Sequence, residues 1–275
     1  MDGYHPLVIP DRRHGGCWSV DCCAKLNRAA RPPRRGLPPA NAYASEPLRY
    51  FRRVSHRCAN SDFCDELAGA TDTCFFRTYG GDPESRLLGQ TDHLAVIADL
   101  SPLTSGHILI LSRVHHLNFA QVVEAHPYEI RALLNLLLPQ YVQTFGRITI
   151  LEHGSAENMV NGACITHAHL HLLPILRRAV DETMTSDGLH WTSFSSLQDF
   201  GRTPWTRSSY YLSGEESGFR LYEPTPELPR QYLRSVAGAV LGIPDPEWDW
   251  AVVVRRELLR ETIARASNWV LPLTG

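Results

Sequence analysis

The sequence predicts an α+β fold in which antiparallel strands form a sheet that helices cover. Short apolar segments, separated by Gly, Pro, Asp or Ser, begin near residue 60, and bounded segments of this kind are typical of β-strands. A stretch with apolar residues at helical spacing follows, and two further strand-like segments come after it. Together these elements complete an α+β core that ends near Pro174.

The individual elements follow from the same patterns. We predict consecutive antiparallel strands at TCFFRTY, RLLGQT, HLAVIADL and HILILSR. Between Asn118 and Phe145 the apolar residues recur at helical period, and Pro127 suits a first helical turn, so we predict one long helix there. The segments RITILEHG and ITHAHLHLLP are predicted strands, joined by a glycine-bearing loop between His153 and Ile165.

The two ends of the chain differ from this core. Residues 1–45 combine Arg, Pro and Gly without a period, which predicts a basic, flexible arm. Residues 186–275 predict an α/β extension that packs on the core, with a hairpin at SYYLSGEESGFRLYE and helices at LPRQYLRSVAGAVLG and RELLRETIARAS. Within this extension, ordinary surface and core is the favoured role of Arg230, Arg234 and the aromatic residues near Trp248 and Trp250, and the alternative is that they face a ligand or a partner.

Bulk composition narrows the classes of partner. Charged residues make up 20% of the chain and the formal net charge is -2, which favours neither a nucleic acid nor an acidic membrane surface as partner. No apolar run approaches the ~20 residues that span a bilayer, and the first residues lack the basic-then-apolar order of a secretory signal. We therefore expect a cytoplasmic protein that does not associate with membranes.

The chemistry is concentrated in one short segment. His167, His169 and His171 alternate with apolar residues, and the two-residue period of a strand places all three imidazoles on one face. Adjacent imidazolium charges would repel one another. The three histidines must therefore share either a metal ion or a ligand.

Both possibilities have a defined chemistry. Three imidazoles with an open coordination position would form a catalytic zinc site, but no carboxylate that could orient them lies nearby in the sequence. Alternatively, a neutral imidazole attacks phosphorus and forms a phosphoramidate, which a second acceptor then cleaves. Backbone N–H groups in the segment Gly162-Ala163-Cys164, just before the histidines, would stabilise the phosphoryl oxygens.

The segment His167-Ala168-His169-Leu170-His171-Leu172-Leu173 resembles the H-φ-H-φ-H-φ-φ signature of the histidine-triad (HIT) superfamily of nucleotide hydrolases and transferases. Upstream, IADLSPLTSGHILILSRVHH is similar to that family's strand-turn-strand segment with its Gly-His pair. The resemblance covers roughly residues 60 to 180. It implies a five-stranded antiparallel sheet, in most members within a homodimer, and a HIT-like catalytic domain over residues 46–185.

The resemblance also implies roles for the three histidines. His169, the middle one, would be the nucleophile. His171 would donate a proton to the phosphoryl or bridging oxygen, and His167 would shape the site.

Substrate-binding roles follow by the same resemblance. Asp99 would accept hydrogen bonds from the ribose hydroxyls, Leu100 would line the nucleoside pocket, and His107 would lie behind the triad. Gly162 and Cys164 belong to the loop near the phosphate. Since Ala163-Cys164 replaces the Gln-Ser pair that is frequent in the family, the leaving group is not predicted.

Two other departures concern metal and charge. Some members hold a structural zinc through C-x-x-C and two histidines, but Ser61 stands where the first cysteine would be. Cys64, His115 and His167 remain as candidate ligands, Cys58 could replace the missing cysteine, and we expect no required cofactor. In addition, Glu152-His153-Gly154 replaces Asn-x-Gly near the phosphate, and a carboxylate there repels phosphate unless it points away or pairs with a histidine.

These observations predict a nucleotide phosphohydrolase or nucleotidyl transferase that acts at an α-phosphate through a covalent His169 intermediate. The alternatives are a phosphorylase or lyase on a specialised nucleotide, a metal-dependent hydrolase built on the three imidazoles, and a non-catalytic nucleotide-binding module. The expected partners are a nucleotide substrate and a second copy of the chain.

Overall fold

The structure is a computed structural model, and it describes residues 61–156, 166–225, 228–229 and 231–272. The predicted basic arm over residues 1–45 lies outside these residues. Gly162 and Cys164 of the predicted phosphate loop lie outside them as well.

The sheet contains eight strands in the described part of the chain, all paired antiparallel in the order β1-β2-β3-β5-β4-β7-β8-β6. The strands are β1 (Leu87–Gln90), β2 (Leu94–Ala98), β3 (Ile108–Ser112), β4 (Thr149–Gly154), β5 (His169–Leu173), β6 (Trp191–Phe194), β7 (Tyr210–Glu215) and β8 (Gly218–Tyr222). β5 therefore lies between β3 and β4, away from either edge of the sheet.

The prediction of five strands is wrong in number, because the C-terminal extension enlarges the same sheet. β1 to β5 form the expected five strands, and β7 pairs along the outer edge of β4, with Glu152 opposite Leu212. An exposed strand edge presents unpaired N–H and C=O groups that a further strand can satisfy. The chain satisfies those of β4 with its own residues, so a homodimer, which stays a prediction, would need another surface.

Eight α-helices cover the sheet within the described residues. They are α1 (Asp62–Leu67), α2 (Cys74–Tyr79), α3 (Phe119–Ala125), α4 (Pro127–Phe145), α5 (Arg177–Ser186), α6 (Leu197–Phe200), α7 (Tyr232–Val240) and α8 (Arg256–Ala266). None of the described helices is long and apolar enough to cross a membrane.

The main core lies on one face of the sheet, beneath α3 and α4. Ala168, Leu170 and Leu172 point into it and are at most 1% exposed. Since side chains alternate across a strand, His169 and His171 point to the opposite face. There Phe63 of α1 contacts the ring of His169, and α7 packs nearby in a second core cluster.

Two predicted elements require correction. TCFFRTY is not a strand but helix α2, since the Thr73 side chain accepts a hydrogen bond from Phe76 N at its start, and Gly80, at φ +62°, ends it in the left-handed conformation. The predicted long helix is two helices, α3 and α4, which meet at His126. A residue before proline is disfavoured in the helical region, and His126 accordingly adopts φ -134° and ψ 50°.

The remaining predicted elements are confirmed. RLLGQT, HLAVIADL, HILILSR, RITILEHG and ITHAHLHLLP contain β1 to β5, and the predicted hairpin contains β7 and β8. The two C-terminal helices are present as α7 and α8.

Candidate active site

His169 is held in one tautomer by the strand that carries it. Its Nδ1 lies 2.6 Å from the backbone oxygen of His167, and because a carbonyl can only accept, Nδ1 carries the proton. Nε2 therefore keeps its lone pair, and no described residue forms a hydrogen bond with it. Burial lowers the pKa of His169, which favours the neutral imidazole. A neutral ring with an available Nε2 is the form that attacks phosphorus.

His171 is oriented by a second histidine behind it. Leu103 N–H donates to His107 Nδ1 at 3.2 Å, so His107 Nε2 carries the proton and donates to His171 Nδ1 at 2.9 Å. Burial lowers the pKa of His107 to about 4 and that of His171 well below its usual value. Because both imidazoles are neutral and His171 Nδ1 accepts from His107, the proton of His171 resides on Nε2, where it can be donated to a ligand.

His167 faces a different group of side chains. Its Nε2 donates to the backbone oxygen of Ser112 at 2.7 Å, and its Nδ1 lies 3.4 Å from Cys64 Sγ. Burial lowers the pKa of His167 to about 4. The side chain of His167 thus lies apart from the pocket of the other two histidines, while its carbonyl fixes His169.

A pocket opens over His169 and His171, and residues from distant parts of the chain line it. The lining residues are Phe63, Asp99, Leu109, His153, His169, His171, Gln231, Leu233, Arg234 and Trp250. Four of them come from the C-terminal extension, which therefore contributes one wall of the site. The three histidines do not converge on one point, and no group of possible metal ligands in the described residues contains all three.

Asp99 lies in this pocket but is bound within the protein. Its Oδ1 accepts from Ser101 N at 2.9 Å and from Arg234 Nη1 at 3.3 Å, and its Oδ2 lies 3.8 Å from His107 Nε2. Burial would raise the pKa of Asp99, but the positive charges that His107 and Arg234 carry at the low pH where this carboxyl group titrates outweigh burial and lower the pKa. Asp99 is therefore a carboxylate at neutral pH, and Arg234 balances its charge.

Leu100 does not line the pocket. It packs instead in an apolar cluster with Phe75, Tyr79 and Leu259, and its carbonyl accepts from the Tyr79 hydroxyl at 2.7 Å. Leu109 and Leu233 supply apolar surface in the pocket.

The strand β4 directs Glu152 and His153 to opposite faces of the sheet. Glu152 points away from the pocket, where it accepts from Phe119 N and from the Tyr210 hydroxyl, each at 2.5 Å. His153 lines the pocket, contacts the tilted ring of Tyr211 at a centroid distance of 4.7 Å, and leaves Nε2 without a partner among the described residues. Burial lowers the pKa of His153 to about 4. The expected repulsion between Glu152 and phosphate is thus avoided.

The zinc ligands that the resemblance implies come together at the rear of the site. Cys64 Sγ lies 3.7 Å from His115 Nδ1 and 3.4 Å from His167 Nδ1. Zinc bonds of about 2.3 Å to sulfur and about 2.0 Å to nitrogen, at tetrahedral angles, place such atoms about 3.5 Å apart. The bond from His167 Nε2 to Ser112 O leaves Nδ1 with its lone pair. These three residues therefore fit a zinc ion that would tie α1 to the strand of the triad.

Sequence reasoning missed several pocket residues. Phe63, Gln231 and Leu233 carried no chemical signal, and Arg234 and Trp250 were open to either a ligand or a partner. Each lies far along the chain from the triad, so only the packing of α1 and the extension reveals its role.

Comparison with known proteins finds a family model that matches the middle of the chain. Residues 81–177 match the family model of the HIT domain. An uncharacterized HIT-like protein from Mycoplasma genitalium is 24% identical over 105 residues, which are 38% of this chain and 74% of that protein.

Solved structures of similar proteins carry the same family description. A hypothetical histidine triad nucleotide-binding protein from Sulfolobus tokodaii is 19% identical with a TM-score of 0.30, over 41% of this chain and 66% of that one, just under two thirds. A HIT-like protein involved in cell-cycle regulation from Bartonella henselae is 16% identical with a TM-score of 0.28, over 38% and 80%. A histidine triad protein from Clostridium difficile is 15% identical with a TM-score of 0.29, over 41% and 88%.

Proposed function

Since residues 81–177 are a domain of the histidine-triad superfamily, we propose that this protein hydrolyses or transfers nucleotides at the α-phosphate through a covalent bond to His169. The observation that carries the proposal is the available Nε2 of His169, whose Nδ1 proton is committed to the carbonyl of His167. The ring is neutral and faces a pocket that also contains His171 and Arg234.

The reaction proceeds in two displacements. Nε2 of His169 attacks the α-phosphorus, the bond from phosphorus to the leaving oxygen breaks, and a phosphoramidate forms. His171 Nε2–H, kept protonated by the relay from Leu103 and His107, donates its proton to the leaving oxygen. Water or another acceptor then attacks the phosphorus and gives its proton to His171 Nε2, while the P–N bond breaks and its electron pair returns to His169 Nε2. This releases the nucleoside monophosphate or its ester and restores both neutral histidines.

Charge that grows on the phosphoryl oxygens requires donors in the pocket. His171 Nε2–H is one such donor, whereas the Arg234 guanidinium donates to Asp99 Oδ1, Ser101 O and Trp248 O and so acts on the site only through Asp99. The glycine-bearing segment with Gly162 and Cys164 lies outside the described residues, and its role as a source of backbone N–H donors remains part of this proposal.

The ribose is assigned to Asp99. Its Oδ1 is engaged by Ser101 N and Arg234, whereas Oδ2 accepts no hydrogen bond from the described residues. In the proposed complex a ribose hydroxyl donates to Oδ2. Arg234 acts there as a positioning residue, because it holds the carboxylate with the free oxygen towards the pocket.

A substrate screen tests the proposed function. Purified protein is offered nucleoside di- and triphosphates, dinucleoside polyphosphates, nucleoside phosphosulfates and nucleoside phosphoramidates, and release of nucleoside monophosphate is measured by chromatography. We expect turnover by the wild type and a loss of roughly 10³-fold or more in His169→Ala, because the covalent route is removed. The matched control is His190→Ala, an exposed histidine outside the pocket.

Two results would count against the proposal. Near-normal turnover in a folded His169→Ala protein would exclude the nucleophile. Tight nucleotide binding without turnover of any substrate would favour the non-catalytic binding module.

A further inference from the structure

A second cluster of metal-ligating side chains lies outside the pocket. His93 directly precedes β2, His126 separates α3 from α4, and Glu129 lies in the first turn of α4. The family resemblance assigns none of these residues. The fold nevertheless brings the β1–β2 turn and the junction of two helices together at this point.

The geometry of the cluster is close to that of a coordination site. Each of the three side chains offers one ligand atom, and these atoms all lie within 4.8 Å of one another. His93 Nδ1 is 2.6 Å from Glu129 Oε2, and the rings of His93 and His126 are stacked with centroids 3.8 Å apart. The stacked rings bring two ring nitrogens and one carboxylate oxygen to the same place.

The carboxylate is oriented before any ligand arrives. Glu129 Oε1 accepts from the backbone N–H of His93 at 2.8 Å and from the Thr91 hydroxyl. These two bonds fix the carboxylate plane and direct Oε2 towards the imidazoles. Carboxylates and histidines that bind metals are commonly held by outer hydrogen bonds of this kind.

We propose that His93, His126 and Glu129 bind one divalent transition-metal ion of the zinc class. Two imidazole nitrogens and one carboxylate oxygen are a known zinc donor set, with a water in the fourth position. The nitrogen content disfavours Mg²⁺ and Ca²⁺, which prefer oxygen ligands.

Only side chains need to move for the ion to bind. A tetrahedral ion with bonds of about 2.0 Å requires ligand atoms about 3.3 Å apart. The His93 side chain is 43% exposed and can rotate, while its backbone is anchored through the bond from Arg113 N to His93 O. On binding, the metal replaces the proton between His93 Nδ1 and Glu129 Oε2, and that proton is released to solvent or moves to Nε2.

A simple ion pair accounts for less of the arrangement. A partly exposed ion pair such as that between His93 and Glu129 contributes little to stability, and it gives no role to His126. The metal explains why a third ligating side chain is stacked against the pair.

A cobalt titration tests the proposal, because Co²⁺ reports its ligands through absorption. A thiolate ligand gives a charge-transfer band, so the Cys64 cluster is distinguished from a site of nitrogen and oxygen alone. The experiment uses the full chain with Cys64→Ser as background, and adds His126→Ala, Glu129→Gln or the matched control His190→Ala. Equilibrium dialysis gives the stoichiometry, and circular dichroism verifies that each variant is folded.

We expect the Cys64→Ser protein to bind one Co²⁺ without a thiolate band. Adding Glu129→Gln or His126→Ala should raise the Kd at least about tenfold, as loss of even an outer contact does in metal sites, whereas His190→Ala should leave it unchanged. Glu129→Gln keeps the size of the side chain, so it decides the result if His126→Ala fails to fold. Absence of Co²⁺ binding in Cys64→Ser, or equal affinity in the folded cluster variants, would overturn the proposal.

Discussion

The buried carboxyl group of Glu152 makes the stability of this protein depend on pH in a measurable way. Burial raises the pKa of Glu152 from 4.5 to about 8, although bonds from Tyr210 and Phe119 act in the opposite direction. The folded state therefore holds a proton that the unfolded chain loses at lower pH. The stability from this group is fully present below pH 4.5 and declines until the pH passes about 8.

The variant Glu152→Gln removes this titration and keeps the shape of the side chain. The amide oxygen can still accept from Phe119 N, and the amide nitrogen can donate to the Tyr210 oxygen. Between the two pKa values the folded wild type keeps the Glu152 proton and the unfolded chain has lost it. The free energy of unfolding of wild type therefore falls by about 1.4 kcal/mol per pH unit in this range. The free energy of unfolding of Glu152→Gln, minus that of wild type, should therefore increase by about 2.7 kcal/mol between about pH 5 and about pH 7.

Urea denaturation followed by tryptophan fluorescence measures this difference without any substrate. The difference between the two free energies of unfolding isolates Glu152, because the buried histidines contribute equally to both proteins. Glu182→Gln is the matched control, since that carboxylate is 62% exposed on α5. Parallel pH curves for wild type and Glu152→Gln would refute the reasoning that burial keeps Glu152 protonated.

Two further predictions concern catalysis. His107→Leu should lower kcat by about 5- to 150-fold, because the lost hydrogen bond to His171 is worth about 1–3 kcal/mol; a nitrophenyl leaving group, which needs no proton, should be cleaved with a much smaller loss, and an equal loss for both substrates would argue against the proton relay. Turnover should be insensitive to EDTA as long as circular dichroism shows the fold unchanged, because the pocket histidines act on phosphate directly, whereas activity lost to EDTA without a change in the circular dichroism spectrum and restored by zinc would favour the metal-dependent alternative.

The part of the site that lies on one strand could be predicted from the sequence. The alternation in His167-Ala168-His169-Leu170-His171 requires the histidines and the apolar residues to occupy opposite faces. The structure confirms that Ala168 and Leu170 enter the core. The structure also shows that the ring of His167 lies apart from the pocket, because its Nε2 donates to Ser112 O and its Nδ1 lies beside Cys64 Sγ.

The parts that depend on distant contacts could not be predicted. No local pattern indicates that Arg234 pairs with Asp99, since 135 positions separate them along the chain. The pairing of β7 with β4 has the same origin, because strand alternation does not specify a neighbour. In TCFFRTY, the apolar content suggested a strand, but the N-terminal cap at Thr73 and the C-terminal cap at Gly80 stabilise a helix.

The most direct test of the covalent mechanism is a denaturant-quenched reaction with a substrate labelled in its α-phosphate. A phosphoramidate loses its P–N bond when the nitrogen is protonated, so the adduct should be stable in base and labile in acid, unlike phosphoserine. We predict that the label is recovered on His169 and is absent from the His169→Ala protein. Product formation under single-turnover conditions without any labelled protein would contradict the account and require direct attack by water.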